Sequence, residues 1–130
     1  MKTLAGMLFL TFAVSSASAG TTGGGDLAPC RDKTLFVAHM SENFEQYITT
    51  EIITQKIKVN VTMDENKGEC VMKGDVRLDF MRGRTGSASM QIISPAGSVI
   101  WSATSGDKDS VKDLAHNLVK RLKHDFENSR

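Results

Sequence analysis

A chain of 130 residues is long enough for one domain, and its 40% apolar and 24% charged content is an ordinary globular balance that argues against a disordered or membrane-spanning class. The formal net charge is +1 at pH 7. Such a balance creates no field that would draw nucleic acid or an acidic membrane as a main partner.

The first element is an export signal. Leu4 to Val14 is an apolar run of eleven residues, preceded by Lys2 and followed by Ser15-Ser16-Ala17-Ser18-Ala19-Gly20. Eleven residues are too few to cross a bilayer, and the small residues Ala17 and Ala19 match a signal-peptidase site. Residues 1–19 are therefore expected to be a signal peptide cleaved after Ala19, which leaves a periplasmic or secreted protein with no stable membrane insertion. Lys2 is the only charge lost, so the remaining chain carries 15 basic and 15 acidic side chains. Leu27-Ala28-Pro29-Cys30 does not make a lipidation site, because the cysteine lies far beyond the apolar run and follows proline.

Export decides how the two cysteines are read, since thiols in an oxidising compartment pair. Cys30 with Cys70 is the only intramolecular choice. No C-x-x-C motif is present, which argues against disulfide exchange.

Residues 20–33 are rich in glycine and threonine and lack a period, so they are expected to be a flexible leader to a single domain over 34–130. Thr34 to Met40 is short and apolar, as in a strand covered on both faces. Ser41 is placed to cap a helix over about 42–55, with Glu42 and Glu45 in its first turn and Phe44, Tyr47, Ile48 and Ile52 at helical spacing. From Lys58 the period becomes two through Val59, Val61 and Met63, and Asp64 to Gly68 is a turn. A strand over about 69–81 follows, with Cys70, Met72, Val76, Leu78 and Phe80 in phase and Gly74 on the inward face, where another element should cross closely. Arg82-Gly83-Arg84-Thr85-Gly86 ends it. Ala88, Met90 and Ile92 mark the next strand, and Ser94-Pro95-Ala96-Gly97 is a tight turn into Val99-Ile100-Trp101. Ser110 and Asp113 resemble a capping box ahead of the apolar stripe Val111, Leu114, Ala115, Leu118, Val119, Leu122 and Phe126, which predicts a closing helix over about 111–127.

The order β-α-β-β-β-β-α predicts an α+β (mixed α/β) domain, a five-stranded mixed sheet with two helices packed on it. The first two strands should be parallel and the later ones antiparallel.

Residues 34–128 resemble a group of small bacterial envelope proteins. The resemblance rests on Leu35-Phe36-Val37, Glu69-Cys70-Val71-Met72-Lys73-Gly74, Gly97-Ser98-Val99-Ile100-Trp101 and the Leu114-Ala115, Leu118-Val119, Leu122 helix. The same order is similar to the domain shared by the amino-terminal part of TolB, CsgG and the periplasmic activators of penicillin-binding proteins. The resemblance implies a protein-binding module of the envelope and supplies no catalytic residue, metal ligand or cofactor.

The residues themselves carry little chemistry. His39, His116 and His124 are too scattered to share an ion, and Lys112, Lys120 and Lys123 flank the last two. Asp107, Asp109 and Asp113 lack the glycine and the bidentate glutamate of a calcium loop. Arg82 and Arg84 stand on a glycine-rich turn that could hold an anion or a partner's acidic loop, although no P-loop context surrounds them. Serines never fall in G-x-S-x-G, and Trp101 has the apolar neighbours of a core residue. The expected function is a non-enzymatic module that binds an envelope protein through a sheet edge, a helix face or the Arg82–Ser87 turn. The alternative is a small hydrolase or ligand-binding protein with its pocket between the last helix and the sheet.

Overall fold

The computed structural model describes residues 21–79, 84–108 and 110–129. The expected signal peptide and Arg82 lie outside these residues. Six strands and two helices follow in the order β1 (Thr21–Gly25), β2 (Thr34–Val37), α1 (Phe44–Thr54), β3 (Asn60–Thr62), β4 (Cys70–Asp79), β5 (Arg84–Ile93), β6 (Val99–Lys108) and α2 (Val111–Asn128). The mixed α+β class holds, and the sheet has six strands in the order β1-β6-β5-β4-β2-β3, one more than expected.

The extra strand, β1, comes from the stretch expected to be a flexible leader. Thr21–Gly25 pairs antiparallel with β6, from Thr21 opposite Ser105 to Gly25 opposite Trp101. Its glycines are a steric requirement. A Cβ on Gly23 would lie 2.3 Å from the Ser102 carbonyl oxygen, and one on Gly25 would lie 2.1 Å from that of Ile100. Both residues also have positive φ, +116° and +158°, where side chains are disfavoured. The next residues are tied down as well. Leu27 is fully buried, its N–H donates to Ser129 Oγ at 3.1 Å, and Ser129 Oγ donates to the Asp125 carbonyl at 2.8 Å.

β2 and β3 are parallel, as the intervening helix predicts. β4 was expected to be antiparallel to its predecessor. It pairs parallel with the other side of β2, so β3 and β4 flank β2. The short link between them passes over Phe36, where a Cβ on Gly68 would sit 2.3 Å from the Phe36 Cβ. β3 is only three residues long, which is why so short a link can step back and cross. β4, β5 and β6 then form an antiparallel meander. The Ser94–Gly97 turn is closed by the Gly97 N–H donating to the Ser94 carbonyl at 2.9 Å.

Both helices cover one face of the sheet. Leu35, Val37, Cys70, Met72, Met90, Ile92, Trp101 and Ala103 from the strands meet Phe44, Ile48 and Ile52 of α1 and Leu114, Leu118, Val119 and Leu122 of α2. α2 begins as predicted, with Ser110 Oγ accepting the Asp113 N–H at 3.1 Å. Gly74 meets Met40, whose Sδ would lie 2.7 Å from an added Cβ. Cys30 and Cys70 are bonded, with their Cα atoms 6.0 Å apart, and the link ties the amino-terminal segment to the centre of the sheet.

Candidate binding site

The start of α1 departs from the expected geometry, and that departure builds the candidate site. Ser41 does not cap the helix. β2 ends at Val37 opposite Met72, so the β2 side of β4 has no strand beside it farther along, and Ser41 bonds to that open side at Val76. Its Oγ accepts the Val76 N–H at 2.9 Å and lies 2.8 Å from Asp75 Oδ1, to which it donates. Three residues later Phe44 must reach the core, where it is fully buried. The chain makes that reversal through Glu42 and Asn43, both left-handed at φ 56° and 55°. Such a conformation costs a side-chain-bearing residue about 1–3 kcal/mol, less for asparagine than for glutamate. The turn is held by Glu45, whose Oε1 accepts the Met40 N–H at 2.9 Å and whose Oε2 lies 3.2 Å from His39 Nδ1. Burial pushes the Glu45 carboxyl up, but the backbone N–H groups of Met40 and Glu45, with the His39 hydrogen bond and charge, outweigh it and hold the group below its ordinary value.

Beside this turn lies an open groove of about 490 Å³ between the exposed side of α1 and the first turn of α2. It is lined by Glu42, Asn43, Gln46, Tyr47, Thr50, Glu51 and Lys112. Tyr47 was expected to belong to the apolar stripe of α1, yet it is 42% exposed. The buried positions are Phe44, Ile48 and Ile52, one turn apart, together with Glu45 and Glu51. Spacing alone placed Tyr47 one turn after Phe44, which made it look like core.

Glu51 joins the two helices. Its Oε1 lies 3.0 Å from His116 Nδ1 of α2 and accepts from Gln55 Nε2 at 2.9 Å, while Gln55 Nε2 also donates to the His116 carbonyl at 3.2 Å. The Glu51 side chain is 9% exposed, against 53% for His116. Sequence reasoning missed Glu51 because its position on the inner side of an amphipathic helix reads only as a break in the stripe. His39 and His124 are also exposed and sit beside carboxylates, Glu45 and Asp125. Among the described residues no hydroxyl is hydrogen-bonded to an imidazole, and no three His, Cys, Asp or Glu side chains converge as metal ligands.

The other expected positions are separated from this groove. Arg84 lies in β5 opposite Asp79, on a strand and not in the turn. Asp113 supplies its N–H to the α2 cap. The space between α2 and the sheet, where a ligand pocket was expected in the alternative reading, is packed by Leu27, Cys30, Leu35, Ile57, Val59, Ile92, Leu122 and Phe126 and leaves about 10 Å³, room for one water at most. Trp101 is fully buried and has a polar role too, donating from Nε1 to Asp125 Oδ2 at 2.8 Å. Burial raises the Asp125 carboxyl, yet the hydrogen bonds from Trp101, His124 and Arg121 and the Arg121 charge together hold it below its ordinary value.

No protein family and no curated sequence matches this chain. Among solved structures, the PelC dodecamer from Paraburkholderia phytofirmans is similar at a TM-score of 0.49 and 18% identity, over 85% of this chain and 96% of that one.

Proposed function

We propose that this chain is an exported, non-enzymatic protein-binding module of the bacterial cell envelope, and that its partner docks in the groove between α1 and α2. The observation that carries the reading is the groove itself, where an exposed tyrosine stands beside two non-glycine residues held in left-handed geometry. Strain of this kind is maintained where a surface must be shaped in one way, and tyrosine is over-represented among the residues that dominate interface energetics. The buried Cys30–Cys70 bond is consistent with an oxidising compartment, and the expected signal at residues 1–19 supplies the route.

A photo-crosslinking amino acid at position 47 or 50, with position 77 on the opposite face of the sheet as control, tests the proposal in intact cells. A partner crosslinked from 47 and 50 but not from 77 is expected. The purified pair should re-form a complex that Tyr47→Ala weakens by about 10-fold or more, the scale of an interface anchor. No adduct from 47 and 50, or equal adducts from all three positions, would overturn it.

A further inference from the structure

Both helices pack on one face of the sheet, and among the described residues no layer covers the other. On the outward positions of β4, β5 and β6 that are described, charge is confined to β4. Lys73, Asp75 and Arg77 alternate along it and are exposed, whereas their cross-strand neighbours are Gln91, Ser89 and Ser87 of β5, then Ser102 and Thr104 of β6. No ion pair joins the three charged side chains to one another, since residues two apart on a strand lie about 7 Å from each other. Alternating charge on a flat face complements the same strand run in the opposite direction.

We propose that this face binds a second copy of the chain, sheet against sheet, about a two-fold axis crossing the strands at the row of Gly74, Met90 and Ala103. The axis exchanges the rows on either side of it. Lys73 of each copy meets Asp75 of the other, Gln91 meets Ser89, and Ser102 meets Thr104, so ammonium faces carboxylate and every amide or hydroxyl faces a hydroxyl. Arg77 lies over Val71, where its aliphatic stem packs on an apolar side chain. Sheets stacked in this way sit about 10 Å apart, a gap that side chains from both faces fill. Centring on Lys73 or Asp75 would set a like charge against itself. Centring on Val76 would pair Asp75 with Arg77, but it moves the axis away from the middle of β1, β4 and β6 and shortens the overlap. About nine residues on four strands give roughly 600 Å² on each copy. The total of about 1,200 Å² is the lower end of the range for specific pairs, which corresponds to a Kd on the order of 10 µM.

Sedimentation velocity of the mature chain between about 1 and 300 µM tests the proposal, and a passage from monomer to dimer is expected. Lys73→Asp and Asp75→Lys each bring like charges together and should weaken self-association by about 10-fold or more. Mixed in equal amounts, the two variants restore both ion pairs across the axis. The mixture should therefore dimerise within about 3-fold of the parent, a recovery that neither misfolding nor a generally sticky surface produces. Arg77→Ala, which removes no ion pair in this register, should change the Kd by less than about 3-fold. A parent that stays monomeric throughout, single variants that dimerise as the parent does, or a mixture that stays monomeric would overturn the proposal. So would a greater loss from Arg77→Ala than from Lys73→Asp. The groove reading stands or falls separately: adducts from position 77 should join two copies and have twice the mass of the chain, distinct from a partner captured at 47 and 50. Capture of a different protein from position 77, with no self-adduct, would assign the face to that protein and overturn the second copy.

Discussion

Reducing the Cys30–Cys70 bond should cost a large share of what stabilises this small domain. The bond closes a loop with a sequence separation of 40, and that loop contains β2, α1 and β3. On the chain-entropy account, opening a loop of this size returns about 13 cal/mol/K to the unfolded chain, or about 4 kcal/mol at 25 °C. A domain of this length has about 5–15 kcal/mol in total. Comparing the reduced and oxidised forms of one chain keeps every other side chain the same, which cysteine replacement would not. The readout is urea unfolding followed by the fluorescence of Trp101, the only tryptophan in the chain and fully buried. With a slope of about 1–3 kcal/mol/M, the midpoint should fall by about 1.3 M or more. A loss below about 1 kcal/mol would refute the reasoning, because the segment from 30 to 70 would then have little freedom to gain.

Two further outcomes follow from particular contacts. Gly25→Ala drives a Cβ to 2.1 Å from the Ile100 carbonyl and 2.8 Å from the Trp101 Cα. It should undock β1, cost about 1–3 kcal/mol and speed amide exchange along β6. Gly97→Ala, with open space but a φ of +88°, should cost only about 1 kcal/mol of backbone strain and leave β6 protected; equal exchange in the two variants would refute the steric account. Asp125 is held below its ordinary value of 3.8, so its carboxylate stabilises the fold. That contribution is complete above 3.8 and is lost as pH falls through the lower folded value. Thermal melting from pH 7 to pH 2.5 should therefore show a shallower acid decline in Asp125→Asn than in the parent, and an unchanged decline would count against the Trp101–Asp125–Arg121 cluster as its source.

Much of this fold was legible because it is local. α2 reads directly from a serine cap and a four-turn stripe, since both depend on spacing along one helix. β4 and β5 read from alternation, and the hairpin from Ser94 to Gly97 reads from proline and glycine at turn positions. The cysteine pairing followed from there being two. The groove was scarcely legible. Tyr47 and Ile48 both fit helical spacing, and only the second helix decides which of them faces the core. Glu45 and Glu51 look solvated until His39 and His116, six and 65 residues away, are brought beside them.

The amino-acid order alone settled the α+β class, the closing helix and the phase of the long strands, because periodicity sorts side chains between two faces whatever the neighbours. Tertiary structure decided the rest. Thr-Thr-Gly-Gly-Gly has no side-chain pattern to read, and it is a strand only because the backbone of β6 supplies hydrogen bonds and leaves no room for a Cβ. β3 and β4 flank β2 because a glycine lets the chain cross Phe36. The left-handed turn at Glu42 and Asn43 exists because Ser41 is claimed by the edge of β4 while Phe44 is claimed by the core, two demands that no local rule contains.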